Sequence, residues 1–332
     1  MKRSTGRLTI RLAVTLGAGL LAFHAAHAEP PSWPAENPRV RLERVFELDD
    51  WQSGRGGRML RWLTGEESSR RRVVRRPYGV AWDGKDLLVT DPDSGRVLRL
   101  PHRGRRRSTR PDAIESPLGV AVCRRGIVVT DSTTGRVALL DAKLRRVAWL
   151  AEGFERPTGV ACHDGQIYVV ETGAHRLRIL GPDGEWRSLG GRGEAAGSFN
   201  FPTAITLDGD ELWVGDALNF RVQRVAADSG EALTAFGELG DAPGEMPRLK
   251  GLAIDAAGHL WISDAHLDRV GLFATDGTFL MSLGRSGSAP GEFLFPAGVA
   301  ADGEGRVAVV DSYNRRVQVF RLLEPAKPAT KR

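Results

Sequence analysis

An acidic residue and an arginine five positions later occur together six times in the chain. The pairs are Asp91 and Arg96, Asp131 and Arg136, Glu171 and Arg176, Asp216 and Arg221, Asp264 and Arg269, and Asp311 and Arg316. A carboxylate accepts hydrogen bonds and a guanidinium presents a planar fork of donors, so each pair could fix the four-residue loop between its members. A catalytic centre needs different groups that converge at one place. The sixfold repetition therefore predicts a structural role for the pairs.

The interiors of the six loops differ from one another, and they carry the residues best suited to binding. The candidates are His175, Asn219, Phe220, His266, Asp268, Tyr313, Asn314 and Arg315. Varied loops on a rigid frame are where binding residues concentrate. The alternative is that these loops are solvated and bind nothing.

The histidine positions give no metal prediction. His175 and His266 fall in equivalent loops two repeats apart, whereas a catalytic zinc needs three ligands within bonding distance. The sequence also contains no Ser-His-Asp set, phosphate-binding loop or haem-attachment motif. We therefore predict no metal and no cofactor, and we name no catalytic residue.

Each acid–arginine pair lies within a longer repeating unit. A unit begins with Pro-x-Gly-Val-Ala, passes a tight turn and continues as an apolar run that ends in the acid. The glycine position recurs at spacings of 40 to 47 residues, at Gly79, Gly119, Gly159, Ala204, Gly251 and Gly298. The runs are rich in β-branched and aromatic residues, which favour strands. Six repeats of a four-stranded unit predict an all-β fold, a six-bladed β-propeller.

The sixth unit ends one strand short. The segment RVRLERVFEL near the N-terminus could supply the missing strand and close the ring, which would remove the exposed sheet edges. We predict a signal peptide at 1–28, a closing strand and insert at 29–76, the propeller at 77–322 and a disordered tail at 323–332. The insert is interpreted either as a plug over one end of the ring or as a docking element.

The first 28 residues have the pattern of an export signal. A charged start, an apolar run and small residues around His27 predict cleavage near Ala28. The alternative is an uncleaved membrane anchor. We expect a periplasmic or secreted protein.

Arginine is concentrated around the first unit. Between Arg55 and Arg110 there are 15 arginines and one lysine against six acids. The predicted basic rim consists of Arg71, Arg72, Arg75, Arg103, Arg105, Arg106 and Arg107. Such a rim favours an acidic envelope protein, an anionic ligand or peripheral contact with an anionic membrane surface. Export and the lack of interleaved aromatic residues argue against nucleic acid, and solvated arginines without a partner are the alternative.

The two cysteines, Cys123 and Cys162, lie in neighbouring repeats. An even count in an exported protein permits a disulfide. Packed sheets lie about 10 Å apart, whereas a disulfide needs Cα atoms within about 7 Å, so the two could meet only near a crowded axis. The sequence therefore favours two buried free thiols.

The repeating unit resembles the NHL repeat. The likeness rests on Pro-x-Gly-Val-Ala, the strand that ends in Asp, the Gly-Glu-Phe connector, and the runs Asn-Phe-Arg-Val at 219–222 and Asn-Arg-Arg-Val at 314–317. It covers about residues 77–322, with departures at Glu171, Ala204 and Leu249. The resemblance implies a six-bladed propeller that usually serves as a binding scaffold. A few members or distant relatives are enzymes, namely peptide-amidating lyases, streptogramin lyases and metal-dependent lactonases.

Two functional hypotheses follow from these observations. The first is an exported, monomeric, non-enzymatic scaffold that binds an envelope protein or an anionic ligand. The second is a lyase or hydrolase with its active site at the ring axis. The second hypothesis requires a deep polar axial pocket with clustered acids or histidines, so the groups that line the axis separate the two. The sequence does not identify the ligand.

Overall fold

The computed structural model describes residues 30–34, 39–48 and 73–323. The predicted signal peptide, most of the predicted insert, Arg71 and Arg72, and the predicted tail after Leu323 lie outside these residues. Within the described ranges, no helix has the length and apolar character needed to cross a membrane.

The described strands form six antiparallel sheets. Blade 1 contains β3 (Val80–Asp83), β4 (Asp86–Asp91), β5 (Arg96–Leu100) and β6 (Arg107–Ser108). Blade 2 contains β7 (Pro117–Cys123), β8 (Gly126–Asp131), β9 (Arg136–Leu140) and β10 (Val147–Glu152). Blade 3 contains β11 (Pro157–His163), β12 (Gln166–Glu171), β13 (Arg176–Leu180) and β14 (Trp186–Leu189). Blade 4 contains β15 (Pro202–Asp208), β16 (Glu211–Asp216), β17 (Arg221–Ala226) and β18 (Ala232–Phe236), and blade 5 contains β19 (Leu249–Ile254), β20 (Leu260–Asp264), β21 (Arg269–Phe273) and β22 (Phe279–Leu283).

Blade 6 joins the two ends of the chain. Its strands are β23 (Pro296–Ala301), β24 (Arg306–Asp311), β25 (Arg316–Leu322), β2 (Val40–Glu47) and β1 (Ser32–Trp33). The antiparallel register of β2 and β25 runs from Val40 opposite Leu322 to Glu47 opposite Arg316. The predicted six-bladed propeller and its closure by the N-terminal strand are therefore confirmed.

The hydrophobic core lies between the blades. The second strand of each blade is buried on both faces, and every residue of β24 is buried. One hydrophobic cluster lies between blades 5 and 6. It includes Trp261, Val309 and Phe320, and these three side chains are fully buried. Full burial of a large apolar side chain contributes about 1.5–3 kcal/mol, so the stability of the ring comes from these interfaces.

Glycine lets the innermost strands approach one another at the axis. A Cβ atom on Gly119 would lie less than 3.0 Å from the carbonyl oxygen of Thr158 in the next blade. The N–H of Gly119 donates to Thr130 Oγ1 at 2.8 Å, and this hydroxyl donates to the same Thr158 carbonyl at 2.6 Å. The glycine and the hydroxyl residue before the acid therefore connect neighbouring blades.

Three departures from the repeat occur together and compensate one another. Ala204 replaces the glycine in blade 4, and its partner on the neighbouring strand is Gly215. Gly215 is the residue before the repeated acid, and blades 1 and 2 carry the hydroxyl residues Thr90 and Thr130 at this position. A side chain on Gly215 would collide with Leu249, which itself replaces the proline of blade 5. The methyl group of Ala204 and the bulk of Leu249 thus occupy space that Gly215 leaves open.

The six repeated acids fasten the loop that enters each blade. Asp91 accepts the backbone N–H groups of Arg75 at 2.6 Å and Arg76 at 3.1 Å. The acid pairs with its arginine in blades 3, 4 and 6, through Glu171–Arg176 at 2.6 Å, Asp216–Arg221 at 2.9 Å and Asp311–Arg316 at 2.7 Å. In blades 1 and 5 the arginines bond elsewhere, Arg96 to Ser108 Oγ and Arg269 to the carbonyl of Ala242. The structural role is confirmed for the acids, and pairing is confirmed in three blades.

Cys123 and Cys162 form a disulfide between blades 2 and 3, so the expectation of two free thiols is wrong. Both residues lie on innermost strands, which converge at the axis, and their Cα atoms are 5.6 Å apart. The spacing of about 10 Å applies to sheets packed face to face, not to strands that meet at the axis.

Removing this disulfide should destabilise the protein by roughly 3–4 kcal/mol, because the bond closes a loop with a sequence separation of 39. Urea unfolding should show a lower midpoint for the wild type in dithiothreitol than without it. The double variant Cys123→Ala/Cys162→Ala should match the reduced protein and should not respond to the reductant. Equal midpoints for oxidised and reduced wild type would contradict the prediction.

Candidate functional site

The antiparallel blades give the ring two distinct faces. The loops that enter the first strands and the loops between second and third strands lie at one end of every blade; this end is called the loop face. The hairpins between first and second strands and between third and fourth strands lie at the other end, called the hairpin face. All eight predicted binding residues belong to loops between second and third strands and therefore share the loop face.

Four of these eight side chains hold neighbouring loops in place. His175 Nδ1 accepts the N–H of Phe201 at 3.1 Å, and Asp268 accepts the N–H of Phe295 at 2.7 Å, each from the entry loop of the next blade. The amides of Asn219 and Asn314 donate to backbone carbonyls of the long connectors, those of Gly193 and Gly287, at 2.9 and 2.8 Å. These polar groups are thus engaged within the protein.

Of the other four predicted residues, His266 and Tyr313 are exposed, and Phe220 and Arg315 are half-buried. Phe220 has a left-handed backbone at φ 54°. Tyr313 is 48% exposed and stacks on Phe295 with ring centroids 4.8 Å apart. Arg315 donates to the carbonyl of Tyr313 at 3.2 Å.

The described members of the predicted basic rim are divided between the two faces. Arg75 precedes β3 on the loop face, whereas Arg103 and Arg105 lie between β5 and β6 on the hairpin face. Arg106 donates to the carbonyl of Glu47 on the closing strand at 2.9 Å, and Arg107 begins β6. Arg75 therefore lies at the opposite end of blade 1 from Arg103 and Arg105, and the binding role predicted for the basic rim stays a prediction.

A cavity of about 280 Å³ opens on the loop face among blades 3, 4 and 5. Arg156 and Arg248 line it, and Thr203 and Lys250 lie where it meets the axis, since both also line the axial opening. Its wall is partly apolar, formed by Phe201, Leu218, Pro247 and Leu249. The cavity therefore combines positive charge with an apolar surface.

The two arginines of this cavity belong to a set of three. The residue three positions before each repeat glycine is arginine in blades 1, 3 and 5, where it is Arg76, Arg156 and Arg248; these are called the arginine triad. Blades 2, 4 and 6 carry Ser116, Phe201 and Phe295 at this position. The triad therefore alternates around the axis.

The three arginines differ in their partners. Arg76 pairs with Asp93 at 2.8 Å, and the guanidinium of Arg248 lies 5.2 Å from the ring centroid of Phe295. Among the residues that the structure describes, no carboxylate forms an ion pair with Arg156 or Arg248. Both side chains are exposed at the cavity, so their charges are available to a ligand.

Two titratable groups lie beside the triad. Burial lowers the pKa of Lys250 to about 8, and the positive charges of Arg248, Arg156 and Arg76 act in the same direction against a weaker opposing effect of Asp264. Burial raises the pKa of the Tyr78 phenol, and the three arginines partly offset this change. The amine of Lys250 thus lies in a partly buried position near three arginine side chains.

The axial opening is narrow, with a volume of about 70 Å³. More than half of its lining residues are glycine or valine, and Tyr78 and Lys250 also line it. Acids and histidines do not occur among its described lining residues, and nowhere in the described ranges do three or more potential metal ligands cluster. The deep polar pocket required by the enzymatic hypothesis is not formed by this opening.

The arginine triad and Lys250 were not among the residues predicted from the sequence. The signal becomes visible when the six repeats are aligned on their glycine. The residues three positions and one position before the glycine then differ between repeats, whereas the spacing of the surrounding motif is constant. The predicted binding residues lie in the loops after the second strands and in the basic rim around blade 1. The entry loops lie on the same face and closer to the axis, and they supply the unpaired charges.

The geometry defines the class of the protein as a six-bladed β-propeller with a basic cavity on its loop face. An NHL repeat model matches residues 293–320, which lie mostly in blade 6, so the chain carries an NHL repeat. No curated protein matches the chain.

Solved structures with this fold include enzymes and a binding protein. A virginiamycin B lyase from Staphylococcus aureus, crystallised with quinupristin as a catalytically inactive variant, is 17% identical over 84% of this chain and 99% of its own, with a TM-score of 0.57. A gluconolactonase from Xanthomonas campestris is 15% identical over 90% and 99%, with a TM-score of 0.60. An auxiliary nutrient binding protein from Bacteroides thetaiotaomicron is 12% identical over 76% and 70%, with a TM-score of 0.62. At these identities the likeness concerns the fold.

Proposed function

We propose that this protein is an exported binding scaffold of the cell envelope whose loop face holds a small anionic ligand. The observation that carries the proposal is the pair Arg156 and Arg248, which line one cavity and form no ion pair within the described chain. Lys250 adds a third positive charge at the inner end of that cavity.

The cavity favours a ligand of limited size and mixed character. Its volume of about 280 Å³ is close to the lower end of small-molecule sites. Guanidinium groups bind carboxylate and phosphate through paired, charge-assisted hydrogen bonds. The apolar wall around Phe201 and Pro247 would contact an uncharged part of the ligand.

The fold alone does not decide between binding and catalysis, because one fold can carry many functions. The axial opening lacks clustered acids and histidines among its described residues, and this favours binding over the second hypothesis. An envelope protein could also present its own acidic group to this cavity. Export to the cell envelope is inferred from the N-terminal sequence pattern and is part of the proposal.

The proposal predicts that sulfate, whose charge is constant near neutral pH, binds at the cavity. The double variant Arg156→Ala/Arg248→Ala should bind sulfate at least tenfold more weakly in isothermal titration calorimetry, because a hydrogen bond to a charged group contributes about 1.5–3 kcal/mol.

The matched control is Arg103→Ala/Arg105→Ala, which removes the same charge from the hairpin face. Its sulfate affinity should remain within about twofold of the wild type at constant ionic strength. An equal loss in both variants would indicate non-specific attraction by net charge and would refute the site, as would a wild type that binds no sulfate.

A further inference from the structure

Lys250 occupies a position where no other repeat carries a charge. It is the residue before the repeat glycine, and the equivalents are Tyr78, Leu118, Thr158, Thr203 and Ala297. It lies in β19 on the innermost strand of blade 5 and lines both the loop-face cavity and the axial opening. Its side chain is half-buried at the junction of the two.

The charges that face Lys250 are mostly positive. Arg248, Arg156 and Arg76 act on it from three entry loops, and Asp264 is the acid that opposes them. The Asp264 carboxylate is 4% exposed and accepts three backbone N–H groups, those of Arg248, His266 and Leu267. No carboxylate of the described residues forms an ion pair with Lys250.

These surroundings make the amine a nucleophile near neutral pH. With a pKa of about 8, about a tenth of Lys250 is uncharged at pH 7, compared with roughly one in a few thousand for an ordinary lysine. Desolvation beside other cations is a recognised way to activate a lysine for attack on carbonyl groups.

We propose that Lys250 condenses with the carbonyl group of a small anionic aldehyde or ketone held by Arg156 and Arg248. The lone pair of the neutral amine forms a bond to the carbonyl carbon, the carbonyl π electrons move to oxygen, and the nitrogen passes one of its protons to that oxygen, which gives a carbinolamine. A second proton, from solvent, converts the hydroxyl to water, and the nitrogen lone pair forms the C=N bond as water leaves, so that a protonated imine remains. Electrons balance within the two reactants, so the step needs no oxidant or reductant.

This inference rests on the proposed function, because the anionic group of the ligand must bind the two arginines to bring its carbonyl carbon to Lys250. A protonated imine withdraws electrons from adjacent bonds, so a lyase built on this site would use Lys250 and not clustered acids or histidines at the axis.

The probe is pyridoxal 5′-phosphate, an aldehyde that carries a phosphate group, followed by borohydride reduction and peptide mass spectrometry. Lys250 should be labelled at least tenfold faster than Lys85 and Lys143, which also lie in the described chain. The labelling rate should rise with pH up to about 8, and sulfate should slow it. Pyridoxal, which lacks the phosphate, should label Lys250 at least tenfold more slowly. Glyoxylate provides a smaller anionic aldehyde in case the larger probe is excluded by its size.

Two variants separate this inference from the proposed function. Lys250→Arg keeps the positive charge but removes the nucleophile, so it should lose the label. Arg156→Ala/Arg248→Ala should lose both the label and sulfate binding. If sulfate binds the wild type but neither aldehyde labels Lys250 faster than Lys85 and Lys143, the imine is refuted and the binding site stands. If sulfate also fails to bind, both proposals are refuted.

Discussion

Gly119→Ala should lower the free energy of unfolding by about 3 kcal/mol, because overpacking of this kind typically costs about 1–3 kcal/mol and here the obstacle is backbone. The added Cβ would meet the carbonyl oxygen of Thr158, which already accepts the hydrogen bond of Thr130 Oγ1. Relief of the overlap requires the innermost strands of blades 2 and 3 to separate. The change should appear as a lower midpoint in urea unfolding and as faster amide exchange in β7 and β11.

Gly191→Ala is the matched control for this prediction. A Cβ on Gly191 would meet no atom within 4 Å, and its backbone is not left-handed. Its unfolding free energy should stay within about 0.5 kcal/mol of the wild type, as is usual for surface substitutions. Equal stability of the two variants would show that the glycine does not control the approach of the blades.

Blade 4 shows how the same contact can be built without the glycine. Ala204 is tolerated there because its strand partner is Gly215, so the pair has lost the hydroxyl bridge and gained a methyl group. The variant Gly119→Ala/Thr130→Gly would copy this arrangement into blade 2. It should not recover the full loss, because the Thr158 carbonyl remains close to the new Cβ.

Much of the architecture is encoded locally in the repeats and was accessible from the sequence. The period of 40 to 47 residues, the strand-forming runs and the missing fourth strand of the last repeat together predict the number of blades and the closure. Each of these signals lies within one unit or in the comparison of units. The number of blades and the closure can therefore be predicted without knowing the distances between residues of different repeats.

The disulfide and the cavity depend on geometry that no single repeat contains. Cys123 and Cys162 meet because the innermost strands converge, and an average sheet spacing misses this convergence. Arg156 and Arg248 are far apart in sequence and become neighbours only when two entry loops meet at one cavity. The polarity of the loops after the second strands was a weaker guide, since four of the eight predicted residues hold other loops in place.

Arg316→Ala should destabilise the protein by about 3–5 kcal/mol, the usual loss when one partner of a buried ion pair is removed. Arg316 is 4% exposed, and its Nε donates to Asp311 at 2.7 Å. Its two Nη atoms donate to the carbonyls of Ser288, Ala289 and Glu292 at 2.7–2.9 Å. It therefore fastens the connector that enters blade 6, and its backbone lies opposite Glu47 on the closing strand.

The controls are Arg96→Ala and Arg316→Lys. Arg96 is the equivalent residue of blade 1, but its guanidinium bonds to the neutral hydroxyl of Ser108 at 3.2 Å, so its loss should cost about 1.5 kcal/mol. Lysine at 316 keeps the charge and loses the planar fork, so it should recover only part of the stability. Comparable effects of Arg316→Ala and Arg96→Ala would contradict the assignment.

The pH dependence of Arg316→Ala gives a second, independent measurement. Burial raises the pKa of Asp311 even beside Arg316, and removal of the guanidinium should raise it further. A carboxyl whose pKa is higher in the folded state binds more protons when folded, so stability falls as the pH rises through that pKa. The loss of unfolding free energy in Arg316→Ala should therefore be smallest at acidic pH and largest at neutral pH.

Amide exchange gives the location of the effect in Arg316→Ala. Exchange should increase first in β2 and in residues 285–293, because these two segments meet at Arg316. A uniform increase across all six blades would contradict this local role of Arg316.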